Sequence, residues 1–451
     1  MQNNPASQSG VVYPKDFSLI NLTLLTSVKT FDMKSVLTEL SYHEDIFNNT
    51  ASGYLMITES MGYLEILNMV GNEYIRMTFG KTSDEITWTD KLFRIYKVDR
   101  RKLEGNMNTE SYSLYFCSDE MLISEQYKIS KSYKGKSVSN NINDIMVNHL
   151  KIPEKKIGII EETYGVYDFI VPNLKPFDAI NWLSTYARPM PDKNGADMVF
   201  FEDRYGFNFR SLQSLMSQRP YHNYVYESKN ISDQDIQKKI QNVTTYEILD
   251  SFDSLDAINS GVFANRLISV DPLLRRYRVT NFDYADYFSK TKKLNKYPIT
   301  NNFKNRMGDG LNATPQAVTK LVFSNFNQSD SSYVKSKPGS TGHDVFAETY
   351  IPYRTAQLQL TNYARVKISV PGDPLLSAGM VIGFELLSLN PNEKKANEFY
   401  SGNYLISAVR HMITPSEYKT VLEITKESTR AQYSSVDNNS TIWKNTVKGI
   451  T

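Results

Sequence analysis

The sequence predicts a mainly β protein with an α/β insert: two β-barrel domains plus a middle α/β domain. Three observations predict it. Apolar and polar residues alternate with period two near both ends of the chain, the period lengthens to 3.6 in the middle, and turn residues punctuate the alternating runs. The clearest run is Ala364–Val370, where Val366, Ile368 and Val370 alternate with Arg365, Lys367 and Ser369. That pattern marks a half-buried antiparallel strand. Pro371-Gly372 and Asp373-Pro374 end its ladder, because proline cannot donate to one. Leu375–Leu389, Gly402–His411 and Tyr418–Thr425 follow as further strand regions, with the polar loop Asn390–Ser401 between the first two.

Taken in order, residues 1–14 form an N-terminal arm ending at Tyr13-Pro14, and residues 15–130 a first β-barrel domain. Leu19–Leu25 is a strand, and Phe31–Leu40 is expected to be a strand followed by a short amphipathic turn. Tyr54–Glu59 and Tyr74–Phe79 alternate again across the turn Met69–Glu73, and Leu92–Val98 and Tyr112–Cys117 flank the turn Leu103–Thr109. Residues 131–222 form the middle α/β domain. Val138, Ile142, Ile145, Met146 and Leu150 make a helical stripe. A second helix opens at Lys175-Pro176, with proline in its favoured first position, carries Phe177, Ile180, Leu183 and Ala187, and stops at Arg188-Pro189. Met198–Glu202 and Phe207–Arg210 read as a hairpin across Asp203–Gly206.

The second β-barrel domain is expected in two parts, residues 223–282 and 354–430. Between them, 283–353 is a polar excursion with Lys320–Phe323 its one clear apolar run. It is expected to lie outside both barrel cores and to dock on the middle domain or on a partner, since long loops of this kind are usually functional or mobile. Residues 431–451 are a C-terminal tail anchored by Trp443.

Composition narrows the function classes. The 451 residues carry a net charge of +2, so no bulk polyelectrolyte partner is implied. Thirty Tyr and 22 Phe against three Trp suit strands first and protein interfaces second. Met1–Gly10 lacks an apolar signal core, and no run approaches the length of a membrane span. A reducing cytoplasm is the expected folding compartment. The single cysteine, Cys117, lies in a strand-like run and reads as a buried inert thiol.

No catalytic, cofactor-binding or metal-binding residues emerge. His43, His149, His222, His343 and His411 show neither HExxH nor HxH spacing. Arg306–Asn312 is a flexible GDG turn rather than a nucleotide loop. Glu44-Asp45 and Glu161-Glu162 are adjacent pairs that strand geometry points to opposite faces, so they read as solvated or interface charges. Arg275-Arg276 and Lys290–Lys293 are too short for a nucleic-acid patch.

Five stretches in order carry a resemblance. They are Glu44–Phe47 through Gly53 and Thr58-Glu59 to Gly71–Glu73 and Ile75–Phe79; Leu122–Glu125 through Ser130–Gly135; the Lys175–Ile180 helix; Phe200–Glu202 through Gly206–Leu212; and Val370–Pro374 with Gly402–Ile406. Together they resemble the baseplate hub family of contractile-tailed bacteriophages. That resemblance implies two tail-tube-like barrels per chain and a homotrimer whose six barrels form a pseudo-sixfold ring. It also implies a central spike protein and the tail tube protein as partners, with tape-measure and baseplate wedge proteins nearby. DNA is met only in passage through the channel, and the location is the virion tail baseplate. The two β regions show no residue-by-residue repeat, so their duplication is implied by the resemblance alone.

Three alternatives make different demands. A tube, distal-tail or secretion-spike component is the nearest, but a spike fusion needs a C-terminal β-helix for which 431–451 is too short. A carbohydrate- or receptor-binding β protein calls for isolated loop aromatics, whereas these mostly alternate within strands. A tail-associated wall hydrolase needs a convergent acid pair or metal triad.

Overall fold

The computed structural model describes residues 17–432, apart from residues 28, 68, 83, 85–87, 105–108, 191–194, 227–239, 272–274, 300–317, 324–349 and 388–395. The arm at 1–14, the Arg306–Asn312 turn, His343 and Trp443 therefore lie outside the described residues.

The first β region comprises β1 (Phe17–Leu25), β2 (Thr30–Asp32), β3 (Leu37–Asp45), β4 (Ser52–Glu59), β5 (Tyr74–Lys81), β6 (Thr89–Glu104) and β7 (Thr109–Cys117). The α/β unit follows with β8 (Ile129–Lys136), β9 (Ile157–Ile160), β10 (Tyr167–Leu174), β11 (Met198–Glu202) and β12 (Phe207–Ser211). After it come β13 (Asn223–Tyr226), β14 (Thr245–Asp250), β15 (Ala264–Asp271), β16 (Arg276–Asp283), β17 (Tyr297–Pro298) and β18 (Val318–Phe323). The chain closes with β19 (Arg365–Pro371), β20 (Val381–Leu386), β21 (Gly402–Ile413), β22 (Tyr418–Thr425) and β23 (Ser428–Thr429).

The mainly β character with an α/β insert is as the sequence predicts, but the two β regions are not separate. Thirteen strands form one sheet in the order β14-β19-β22-β21-β3-β4-β7-β6-β5-β1-β2, with β20 on β21 and β13 on β20. The path is open; its strands curl around two cores without closing into a barrel. Leu22, Leu40, Tyr42, Leu55, Phe79, Phe93 and Phe116 fill the first core. Val366, Ile368, Phe384, Tyr404, Ile406 and Leu422 fill the second. The Val366/Ile368/Val370 face is buried, as its period requires. Residues 241–244 bring β14 against β13 through Val225 N–H to Gln241 O (2.9 Å) and Val243 N–H to Val225 O (3.0 Å).

β21 is the joint. Its Ala408–Ile413 stretch pairs with Leu40–Asp45 of β3, welding the two regions edge to edge. Expecting a turn near Leu40 missed β3, whose buried face at Leu40, Tyr42 and Glu44 includes a carboxylate and whose Ser41 is buried too, so apolar and polar residues do not alternate.

The second β region and the excursion also differ from expectation. β15 and β16, expected in the second barrel, instead form a separate three-stranded sheet with β18. The helix Tyr284–Phe288 is not merely polar: Tyr284, Tyr287 and Phe288 pack with Phe263, Phe282, Ala356 and Leu360 in a core of their own. Asn295 is buried, its amide reaching the Asn403 and Ser428 carbonyls at 3.0 and 3.1 Å. The excursion does touch the α/β unit, where Gln213 donates to the Tyr287 hydroxyl (3.3 Å).

In the α/β unit the stripe from Val138 is helical to Asp144 and continues as a wider turn to His149. The helix Pro176–Ser184 begins at its proline and buries Phe177, Ile180 and Leu183. β11 and β12 pair as the predicted hairpin, with β9 parallel beside β12. Gly206 at its turn has φ 144°, and a Cβ there would sit 2.1 Å from the Lys156 carbonyl, so only glycine fits.

Candidate assembly surface

Pairing in register aligns the side chains of both β regions on one continuous face. Cys117, Ser52, His43, Arg410, Val421, Ser369 and Thr245 stand in one row across β7, β4, β3, β21, β22, β19 and β14. The row beside it runs through Asp45, Ala408, Glu423, Lys367 and Glu247. The apolar cores lie behind this face. In front lies a shallow groove lined by Tyr54, Tyr96, Tyr115, Arg410 and Lys367.

The cations on the face meet carboxylates. Arg365 reaches Asp250 at 2.5 Å and Glu423 at 3.1 Å, Lys367 reaches Glu247 at 3.3 Å, Arg410 reaches Glu39 at 3.0 Å, and Lys97 reaches Asp99 at 2.9 Å. Arg410 also donates to the Ser41 and Tyr54 hydroxyls, at 2.7 Å each. Exposed pairs of this kind contribute little to stability. What they change is the field, since a cation already matched by a carboxylate holds a phosphate less firmly.

Behind the face, the turn after β11 is wedged between the two regions. Glu202 accepts from the Ala51 amide (3.0 Å), from the Ser118 hydroxyl and from Lys91 (3.3 Å). Lys91 also donates to the Asp203 carbonyl (2.8 Å). Arg204 donates to the Pro374 carbonyl at 2.6 Å and to the Trp88 carbonyl at 3.3 Å, bridging one β region to the other. Glu44 takes the Tyr42 hydroxyl at 2.8 Å, the Ser377 hydroxyl at 2.5 Å and the Ala378 amide at 2.9 Å.

Glu44 is therefore buried rather than solvated, a correction to the sequence reading, and it ties β3 to the loop before β20. Burial, followed by the charge of Asp203, raises its carboxyl to about 7. Asp45, its neighbour, instead accepts from the Phe47 amide (2.8 Å) and the Asn48 side chain (2.7 Å). The two point apart, as strand geometry requires.

The histidines are scattered. His411 is buried between the Tyr418 hydroxyl (2.8 Å) and the Leu376 carbonyl (3.2 Å), which fixes a neutral ring donating through Nε2. Burial, aided by the Arg204 charge, lowers its pKa to about 3. His43 bonds the Ser41 hydroxyl (2.9 Å) and is lowered to about 4 by burial and then Arg410. His149 packs against Tyr127, and His222 lies between Tyr221 and Tyr224. Among the described residues no three His, Cys, Asp or Glu side chains gather as a metal would need. Glu161 accepts from the Ser211 amide (2.8 Å) and hydroxyl. Burial pushes the Cys117 thiol up to about 12, away from nucleophilic reach. Arg276 stands in β16, while Lys293 covers the Phe288 ring at 4.1 Å. Sequence reading missed Glu202 and Arg204 as junction residues; the one local signal was a charged turn between strands made otherwise of aromatics.

One sheet thus presents a continuous face across both β regions. The tail protein from Neisseria meningitidis MC58 has a similar fold: TM-score 0.52 at 10% identity, covering 90% of this chain and 96% of that one. A 43 kDa tail protein of prophage MuSo2 from Shewanella oneidensis aligns with TM-score 0.49 at 8% identity, over 90% and 98% of the two chains. In sequence, the chain is 22% identical over 408 residues to the "Probable baseplate hub protein gp334" of Vibrio phage KVP40, 88% of this chain and 91% of that protein. The chain thus resembles phage baseplate hub proteins over most of its length. No family model matches it.

Proposed function

We propose that the protein is the baseplate hub of a contractile phage tail, acting structurally rather than as an enzyme and residing in the tail baseplate of the virion. In this reading it is a homotrimer. Three chains, each bringing two β regions, form a pseudo-sixfold ring that adapts a threefold central spike to a sixfold tail tube and lines a channel for DNA. The observation that carries it is the single sheet whose one face runs across both β regions with its cations matched by carboxylates. A wall meant for passing DNA is served by such a face, polar enough for water and with its cations matched. The resemblance to a phage baseplate hub protein supplies the spike, the tail tube and the surrounding tail-tip proteins as partners.

Light scattering on the purified protein, alone and with its spike, tests the stoichiometry. Three chains per particle are expected, and a stable dimer would overturn the ring.

A further inference from the structure

Arg354 differs from the cations of the sheet face. It stands in the first turn of the helix Ile351–Leu360, against the α/β unit. Its Nη1 donates to three main-chain carbonyls, those of Ala196 (2.9 Å), Met198 (3.2 Å) and Ser184 (3.4 Å), which uses both protons of that nitrogen. Holding the helix needs Nη1 alone. Nε and Nη2 have no partner among the described residues, and they are not among the buried polar atoms. The acid whose charge reaches the guanidinium is Asp197, and burial raises that carboxyl to about 7, so it matches the cation poorly.

The free edge opens on a cleft of about 460 Å³ between the helix and the α/β unit. That size falls within the range of small-ligand sites, about 300–1,000 Å³. The lining is largely apolar. Tyr186 and Tyr350 meet edge to face at 5.5 Å, and Ile351 and Leu358 extend the wall. Among the described residues that line the cleft, Arg354 alone is charged. The helix also begins here, at Tyr350-Ile351, without a side-chain cap, so its positive end adds to the field of the guanidinium.

We propose that this cleft binds a carboxylate attached to an apolar group. The acid forks onto Nε and Nη2 of Arg354, and the apolar group lies against Tyr186 and Leu358. The Nε–Nη2 edge of arginine presents two parallel N–H groups at the spacing of a carboxylate's oxygens. A phosphate fits less well, because it would bring further negative charge into a partly apolar cleft with one cation to meet it. Two sources share the favoured chemistry: a small organic acid, and the C-terminal residue of a partner chain.

Ligand-observed saturation-transfer NMR on the full chain tests it. Benzoate should bind saturably, with Kd at or below about 1 mM, and its neutral isostere benzamide at least tenfold more weakly. Inorganic phosphate should displace benzoate less well than acetate does. Gln359 is exposed at the cleft, so a charge placed there should leave the circular dichroism unchanged. Gln359→Glu should weaken benzoate at least threefold and Gln359→Lys should tighten it, a change of sign that a purely structural role would not give. Arg354→Lys keeps a donor for the carbonyls but lacks the fork, and should lose at least tenfold in affinity. Acetyl-alanyl-phenylalanine, free or amidated at its terminus, separates the sources. A free form that binds more tightly than benzoate, with an amide that does not bind, points to a chain terminus; the reverse order points to a small acid.

Equal binding of benzoate and benzamide would overturn the proposal, as would a benzoate affinity that neither Gln359 variant moves. Stronger displacement by phosphate than by acetate would overturn the choice of carboxylate. These measurements read a single chain's cleft, so their failure leaves the hub reading standing.

Discussion

Glu44 and His411 sit in one buried junction and titrate in opposite senses. The Glu44 carboxyl, ordinarily near 4.5, is raised to about 7, so the folded state holds its proton more tightly than the unfolded chain does. Its contribution is whole below pH 4.5 and lost as pH rises through about 7. The His411 imidazole, ordinarily near 6.5, is lowered to about 3. Its contribution is present above pH 6.5 and lost as pH falls toward 3, because folding then excludes a charged ring. Between 4.5 and 6.5 the two slopes oppose each other. Urea midpoints at pH 5 and pH 8, compared between the parent protein and a Glu44 variant, separate them. Replacing Glu44 by Gln should shrink any loss of stability from pH 5 to pH 8 by up to about 3 kcal/mol, leaving the acid-side loss in place. An unchanged difference between the two pH values would show that Glu44 does not titrate there.

At the scale of elements, the helix Ile351–Leu360 fastens the excursion to the α/β unit through two polar side chains. Arg354 donates to the carbonyls of Ala196 (2.9 Å), Met198 (3.2 Å) and Ser184 (3.4 Å). Burial lowers its pKa, with Asp197 opposing. Gln357, one turn on, accepts from the Ala196 amide at 3.0 Å. Arg354→Met keeps the length of the side chain but leaves those carbonyls without their donor. It should cost about 2–4 kcal/mol, and limited proteolysis should cut the excursion faster than in the parent protein. Equal cleavage rates would mean that the apolar contacts of Tyr350 and Tyr353 hold the helix unaided.

For the whole molecule, the decisive property is a wall whose cations are matched. Arg365, Lys367 and Arg410 each have a carboxylate within 3.3 Å. The parent protein should accordingly bind duplex DNA weakly. Glu39→Gln with Glu423→Gln takes one partner from Arg410 and one from Arg365. Fluorescence anisotropy should show at least severalfold tighter DNA binding at about 50 mM salt, lost by about 200 mM, as counterion release requires. No gain at low salt would mean that the paired carboxylates do not govern how the wall meets phosphate.

The sequence by itself determined what is local. Period two at Val366–Val370, the proline start of the Pro176 helix and the β11–β12 hairpin are all properties of neighbours along the chain. So is the burial of Cys117 within an aromatic strand. Tertiary structure alone decided the rest. A strand order is a set of non-local pairings, and neighbours along the chain do not record it. For the same reason the β3–β21 weld was hidden, since its partners lie some 370 residues apart in sequence. Glu44 looked like a surface charge because burial depends on what packs against a strand. What packs there is Ser377, Ala378 and the Glu202–Arg204 turn, brought together only when both β regions close on the α/β unit.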